Sequence, residues 1–185
     1  MNKIIIVFSL TCFFISCKNK KLDSTRAYFS VIDYLNAEVR KTDTLPVHFK
    51  KITIVGDISD TSSITKEEFH SYAKEFLNLP DIASVKKMDD YTETNDFDEI
   101  LNNVLLIYTA KDPEDEVRNE TIMMEPDEQG NTQVKTIIIT VVKNADKESI
   151  EKNMTWHIDK RFQIVTKKNK QGQPEKITTT VVSWE

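Results

Sequence analysis

"TQVKTIIITVVK", residues 132 to 143, is dominated by β-branched residues, contains neither glycine nor proline, and shows no helical spacing. Stiff, branched side chains of this kind suit a pleated strand better than a helix. Within it Ile137, Ile139 and Val141 point one way and Ile138 and Val142 the other. A strand that is apolar on both sides belongs in the middle of a sheet, with both faces covered.

Four further segments of the same character flank it: "NVLLIYT" (103 to 109), "EVRNETIMME" (116 to 125), "MTWHIDKRFQIVTK" (154 to 167) and "EKITTTVVSW" (175 to 184). Polar turn clusters such as "PDEQGN" and "NKQGQP" separate them, which favours an antiparallel meander. A weaker strand is expected near 84 to 92. In 154 to 167, read as one strand, Trp156, Ile158, Phe162 and Ile164 share a face while His157, Asp159, Arg161 and Gln163 share the other. Earlier in the chain, "VHFKKITIV" (47 to 55) reads as a strand ended by Gly56 and Asp57.

Two amphipathic helices complete the pattern. Tyr28, Val31, Ile32, Leu35 and Val39 recur at helical spacing between Ser24 and Arg40. A second helix is predicted over 66 to 78: Thr65 and Glu68 form a capping-box pair, Ile64 and Phe69 a staple across it, and Pro80 stops it. Phe69, Tyr72, Ala73, Phe76 and Leu77 line its apolar face. Helices followed by a run of strands imply an α+β fold, with two helices on one face of a curved antiparallel sheet of about five to six strands. In element order this resembles cystatin-like and nuclear-transport-factor-like folds, or alternatively the half-barrel of lipoprotein carriers.

The first 16 residues, "MNKIIIVFSLTCFFIS", carry one basic residue and then an apolar run of about a dozen, shorter than the ~20 needed to span a bilayer. They have the form of a secretory signal peptide. Phe14-Ile15-Ser16-Cys17 resembles the lipobox of bacterial lipoproteins. The resemblance implies removal of residues 1 to 16 and a diacylglycerol and an N-acyl chain on Cys17, which becomes a membrane anchor with 17 to 23 as tether. Two or more acyl chains make such attachment durable. Lys18-Asn19-Lys20-Lys21 carries none of the acidic retention signals of lipoproteins, which implies an outer-membrane anchor with the domain, 24 to 185, facing the periplasm. Cys12 falls in the removed segment, so the mature domain is expected to lack both free thiol and disulfide.

The chain carries a net charge of −5, an argument against nucleic acid as partner. His48, His70 and His157 lie on different segments, and no cysteine remains to help them build a zinc site, so no metal is expected. The acidic runs "DDYTETNDFDE" (89 to 99) and "KDPEDE" (111 to 116) lack the glycine and ligand alternation of a calcium loop, and are expected as exposed, mobile loops. No phosphate loop or nucleophile elbow is present. His157, Asp159 and Arg161, at two-residue spacing, are the weak polar-face candidates for acid/base chemistry; alternation alone explains them as a solvated face. Asp23-Ser24-Thr25 and Asp43-Thr44-Leu45 resemble a bacterial O-glycosylation sequon at Ser24 and Thr44. Asn119-Glu120-Thr121 and Asn153-Met154-Thr155 match only the N-glycosylation acceptor.

The expected function is that of a lipid-anchored, non-catalytic binding module whose partner is an envelope protein or glycan, with no cofactor. The alternative is a carrier of a small apolar ligand, held where the second face of 137 to 142 meets Met123, Met124 or Trp184. A hydrolase using His157 and Asp159 ranks last. Mass spectrometry of the native protein should find residue 17 as the acylated N-terminus, and Cys17→Ser should abolish the acyl mass and release the protein from membranes. Unchanged membrane retention without an acyl group would contradict the anchor.

Overall fold

The computed structural model describes residues 28–100, 102–127, 129 and 131–185. Its elements are α1 (Val31–Asp43), β1 (Phe49–Val55), β2 (Ile58–Ile64), α2 (Lys66–Leu77), a 3-10 turn at Met88–Asp90, then β3 (Tyr91–Asp98), β4 (Asn103–Ala110), β5 (Val117–Pro126), β6 (Thr132–Ala145), β7 (Glu148–His157), β8 (Arg161–Lys170) and β9 (Lys176–Trp184).

The expected five or six strands are corrected to nine, joined in one open antiparallel sheet of order β2-β1-β9-β8-β7-β6-β5-β4-β3. Among the described residues the molecule is therefore mostly sheet, nine strands with two helices, and not the α+β arrangement of five to six strands expected. β3 to β9 form an uninterrupted meander. The β1–β2 hairpin adds to its far side because β1 pairs with β9, with Phe49 opposite Trp184 and Val55 opposite Thr178. Since β2 and β3 are opposite edges, the chain between them, α2 included, must cross the whole sheet.

Four strand assignments change: the weak strand expected near 84 to 92 is a run of turns and the 3-10 segment Met88–Asp90 leading into Tyr91, and each of the other three has a physical reason. The stretch 154–167 is a hairpin, not a strand: His157 pairs with Arg161 and Trp156 with Phe162. Its turn contains no glycine; Asp159 takes the left-handed conformation itself, φ +61°, which Asp tolerates better than most residues. The expected loop at 89 to 99 holds β3, anchored by the buried Tyr91. An unexpected strand, β2, follows a two-residue turn whose first residue, Gly56, has φ +58°, as a type II′ hairpin requires.

α2 is held as its sequence requires. Thr65 Oγ1 accepts from the Glu68 N–H at 3.2 Å and Glu68 Oε2 from the Thr65 N–H at 2.8 Å, the reciprocal capping box. Ser30 caps α1 by accepting from the Asp33 N–H, and Ser24 and the start of the expected first helix lie outside the described residues. Val31, Leu35 and Val39 of α1 and Phe69, Ala73 and Phe76 of α2 are buried against the sheet. Phe69 stacks on Phe49 at 4.5 Å between centroids and meets Trp184 edge-on at 5.3 Å; Phe76 meets Trp156 edge-on at 5.1 Å and Phe162 at 5.4 Å.

On β6, Ile137, Ile139 and Val141 are buried in the core with the helices. Ile138 and Val142 lie on the other face and are only half-buried, so the expectation of cover on both sides is corrected. Their neighbours there, Thr121 and Thr155 across from Ile138, are themselves half-exposed, and none of the described elements packs over them. Among the described residues no helix is long and apolar enough to cross a membrane.

Deleting a core ring leaves a cavity, whereas deleting a cap leaves one donor to water. Phe76→Ala should cost about 3–5 kcal/mol and Thr65→Ala about 1 kcal/mol. Urea unfolding curves that reverse this ranking would contradict the placement of α2.

Candidate functional site

A groove of about 790 Å³ lies between α1 and the ends of two hairpins. α1 contributes Tyr34, Glu38 and Lys41, the β5–β6 hairpin Glu125 and Lys135, and the β7–β8 hairpin His157 and Asp159. Lys41 Nζ donates to both carboxylate oxygens of Asp159, at 2.7 and 2.8 Å, and this hydrogen bond raises the Lys41 pKa. Both side chains are about half exposed, so the pair contributes little to stability, about 0–1 kcal/mol. Its consequence is geometric: it ties the end of α1 to the β7–β8 turn.

Deeper in the groove, burial raises the pKa of Glu38 against the opposing pull of Lys41. Tyr34 is raised likewise, by burial first and the Glu38 charge second. His157 moves the other way, lowered by burial and then by Arg161 and Lys160. Its Nδ1 faces the Thr136 hydroxyl at 3.2 Å.

Of the three polar-face candidates, the structure brings His157 and Asp159 into one groove and sets Arg161 across the hairpin from His157. They do not share one strand face as expected, because Asp159 belongs to the turn. Among the described residues no carboxylate hydrogen-bonds the His157 ring, so the orienting group of an acid/base relay is missing. His70 pairs with Asp43 at 2.7 Å and His48 stands at the start of β1; no group of three or more His, Cys, Asp or Glu among the described residues is placed to hold a metal ion. Thr44, exposed at the end of α1, donates its hydroxyl to the Lys41 carbonyl at 2.8 Å. Cys17 and Ser24 lie outside the described residues.

The acidic runs do meet, at Asp89, Asp90, Asp112 and Asp115, but two lysines lie among them. Lys87 Nζ donates to Asp115 at 2.8 Å and to Asp90 at 3.1 Å, and Lys111 Nζ to the Asp89 carbonyl at 2.7 Å. Two of the chain's own ammonium groups thus stand among these carboxylates. Nor do the residues assigned to an apolar ligand gather: Ile138 and Val142 face outward, Met124 lines the polar groove, and Trp184 packs in the core against Phe69 and Trp156.

One residue that sequence reading missed as chemistry is Glu120. Its side chain is fully buried, both carboxylate oxygens lack a hydrogen-bond partner, and it sits opposite Tyr108 on β4 and Ile139 on β6. A strap closes over this region. Tyr28 packs tilted on Tyr108 with ring centroids 4.6 Å apart, the Phe29 N–H donates to Tyr108 Oη at 2.8 Å, and Ser30 donates to Asp81 at 3.4 Å. Burial, with the Asp81 charge adding, pushes the Glu120 carboxyl up to about 8. The available signal was parity, since Glu120 stands two residues before the buried Ile122.

No protein-family model, curated protein or solved structure matches this chain.

The Glu120 shift has a definite sign. The folded protein holds a proton that the unfolded chain releases above about pH 4.5, so stability is fullest below that pH and is lost as pH rises through 8. At 1.36 kcal/mol per pH unit between 4.5 and 8 the loss reaches up to about 5 kcal/mol. Urea titrations between pH 5 and 9 should show this decline in the wild type and a flatter profile in Glu120→Gln; parallel profiles would show that Glu120 is ionised in the fold.

Proposed function

We propose that the protein is a non-catalytic binding module, tethered to a membrane through acylated Cys17, that takes an envelope protein or glycan into the groove between α1 and the two hairpin ends. The observation that carries this reading is the groove itself. Its walls are a helix and two hairpins, elements that hold a site in place better than loops do, and the Lys41–Asp159 pair ties two of these walls together. The lining offers acceptors at Glu38 and Glu125, cations at Lys135 and Lys160, and the apolar Phe29 and Ile158. Such a mixture suits a hydrogen-bonding polymer or a protein surface better than an apolar ligand. The filled aromatic core under α2 leaves the surface as the place to bind.

The test uses a photo-crosslinking residue in the native envelope. Placed at the exposed rim position Gln133 it should yield a discrete adduct, and that adduct should disappear when Thr132→Trp fills the groove. The same probe at Asn95, on β3, should give none. Equal labelling from both positions, or an adduct indifferent to the blocking change, would contradict the reading.

A further inference from the structure

The two edges of the sheet are unlike. β3, one edge, carries Glu93, Asp96 and Asp98 within "YTETNDFD", and a second acidic copy laid along it would bring carboxylates together. β2, the other edge, reads "ISDTSSI" with a single charge, Asp60, and its register with β1 runs without a bulge from Ile58 to Ile64. Proteins ordinarily guard an open edge with lysine, proline or a bulge. β2 has none of these, five of its seven residues are exposed, and Ile58 is 76% exposed.

Its sequence is also nearly the same read backwards. Two copies of β2 laid antiparallel about a two-fold axis through Thr61 would set Ile58 opposite Ile64 of the other copy, Ser59 opposite Ser63, Asp60 opposite Ser62, and Thr61 opposite itself. Every apolar residue meets an apolar one and each carboxylate meets a hydroxyl, so no like charges face directly, the condition for a stable cross-strand set. A two-fold contact requires such a self-complementary strand, whereas an unrelated peptide does not. The exposed Ile58 would then lie against Ile64, which already packs on the core.

We infer that β2 is a docking edge for a second copy of this chain, joining the two sheets into one continuous antiparallel sheet through the Thr61 axis. The pairing leaves the groove free, because its walls belong to α1 and the β5–β6 and β7–β8 hairpins.

The experiment uses the full chain, with mass measured by light scattering after size exclusion. The wild type should run at twice the monomer mass. Thr61→Lys and Thr61→Glu each place like charges at the axis and should run as monomers, while an equimolar mixture of the two should recover the dimer. The residue directly opposite Thr61 within the monomer is Ile52, so neither change sets like charges directly across from one another in the fold; matching melting curves verify that the fold is unharmed. Directly opposed antiparallel residues lie about 4.5–5.5 Å apart at Cα, within disulfide range. Thr61→Cys should accordingly form a cross-linked dimer on mild oxidation, and Thr94→Cys, on the β3 edge, should not. A wild-type monomer at every concentration, a dimer untouched by Thr61→Lys, or equal cross-linking from positions 61 and 94 would overturn the inference, the last two by placing the contact elsewhere.

Discussion

Two phenylalanines on α2 decide how this chain closes. After β2 the chain must cross to the opposite edge of a nine-stranded sheet before the meander begins, and a crossing segment with nothing to hold it would gain little for the order it gives up. Phe69 and Phe76, on the same helical stripe, insert between Phe49, Trp156, Phe162 and Trp184. These rings come from β1, β7, β8 and β9, so α2 pins the first hairpin to the last strands of the meander. Each aromatic pair contributes about 0.5–1.5 kcal/mol beyond its buried area. The β1–β9 pairing and α2's path across the sheet therefore depend on one another.

Local signals in the sequence proved readable and distant ones did not. The capping box at Thr65 and Glu68 acts within four residues, and it places the start of α2 where the structure has it. β6 shows its interior position through uninterrupted branched residues. The edge strands were hidden because an edge need not be apolar: "ISDTSSI" bears almost no hydrophobic alternation, and β3 looks like a solvated acidic loop. The hairpin at 158–160 was hidden because Asp159 does what a glycine usually does. Undercounting strands followed from these three cases.

The groove lay outside sequence reasoning for a different reason. Its walls come from α1, the β5–β6 hairpin and the β7–β8 hairpin, and only the sheet order brings Lys41 to Asp159, 118 residues along the chain. His157 and Asp159 were singled out by a spacing argument that assumed a straight strand, and they meet through a turn instead. Glu120 shows the converse: parity with Ile122 places it inside, and no pattern announces that it would stand there without a partner. Polar groups of this kind cost stability when they are buried without a partner.

The account stands most directly on the junction between β1 and β9 beneath α2. Amide hydrogen exchange followed residue by residue measures it. The amides of Ile52 and Val181, opposite one another in that junction, should exchange as slowly as those of Ile139 and Met154 in the middle of the meander, and Phe76→Ala should accelerate all four together. Fast exchange at Ile52 and Val181 while Ile139 and Met154 stay protected would show that the first hairpin is not part of the sheet, and would contradict the fold on which the groove and the docking edge both rest.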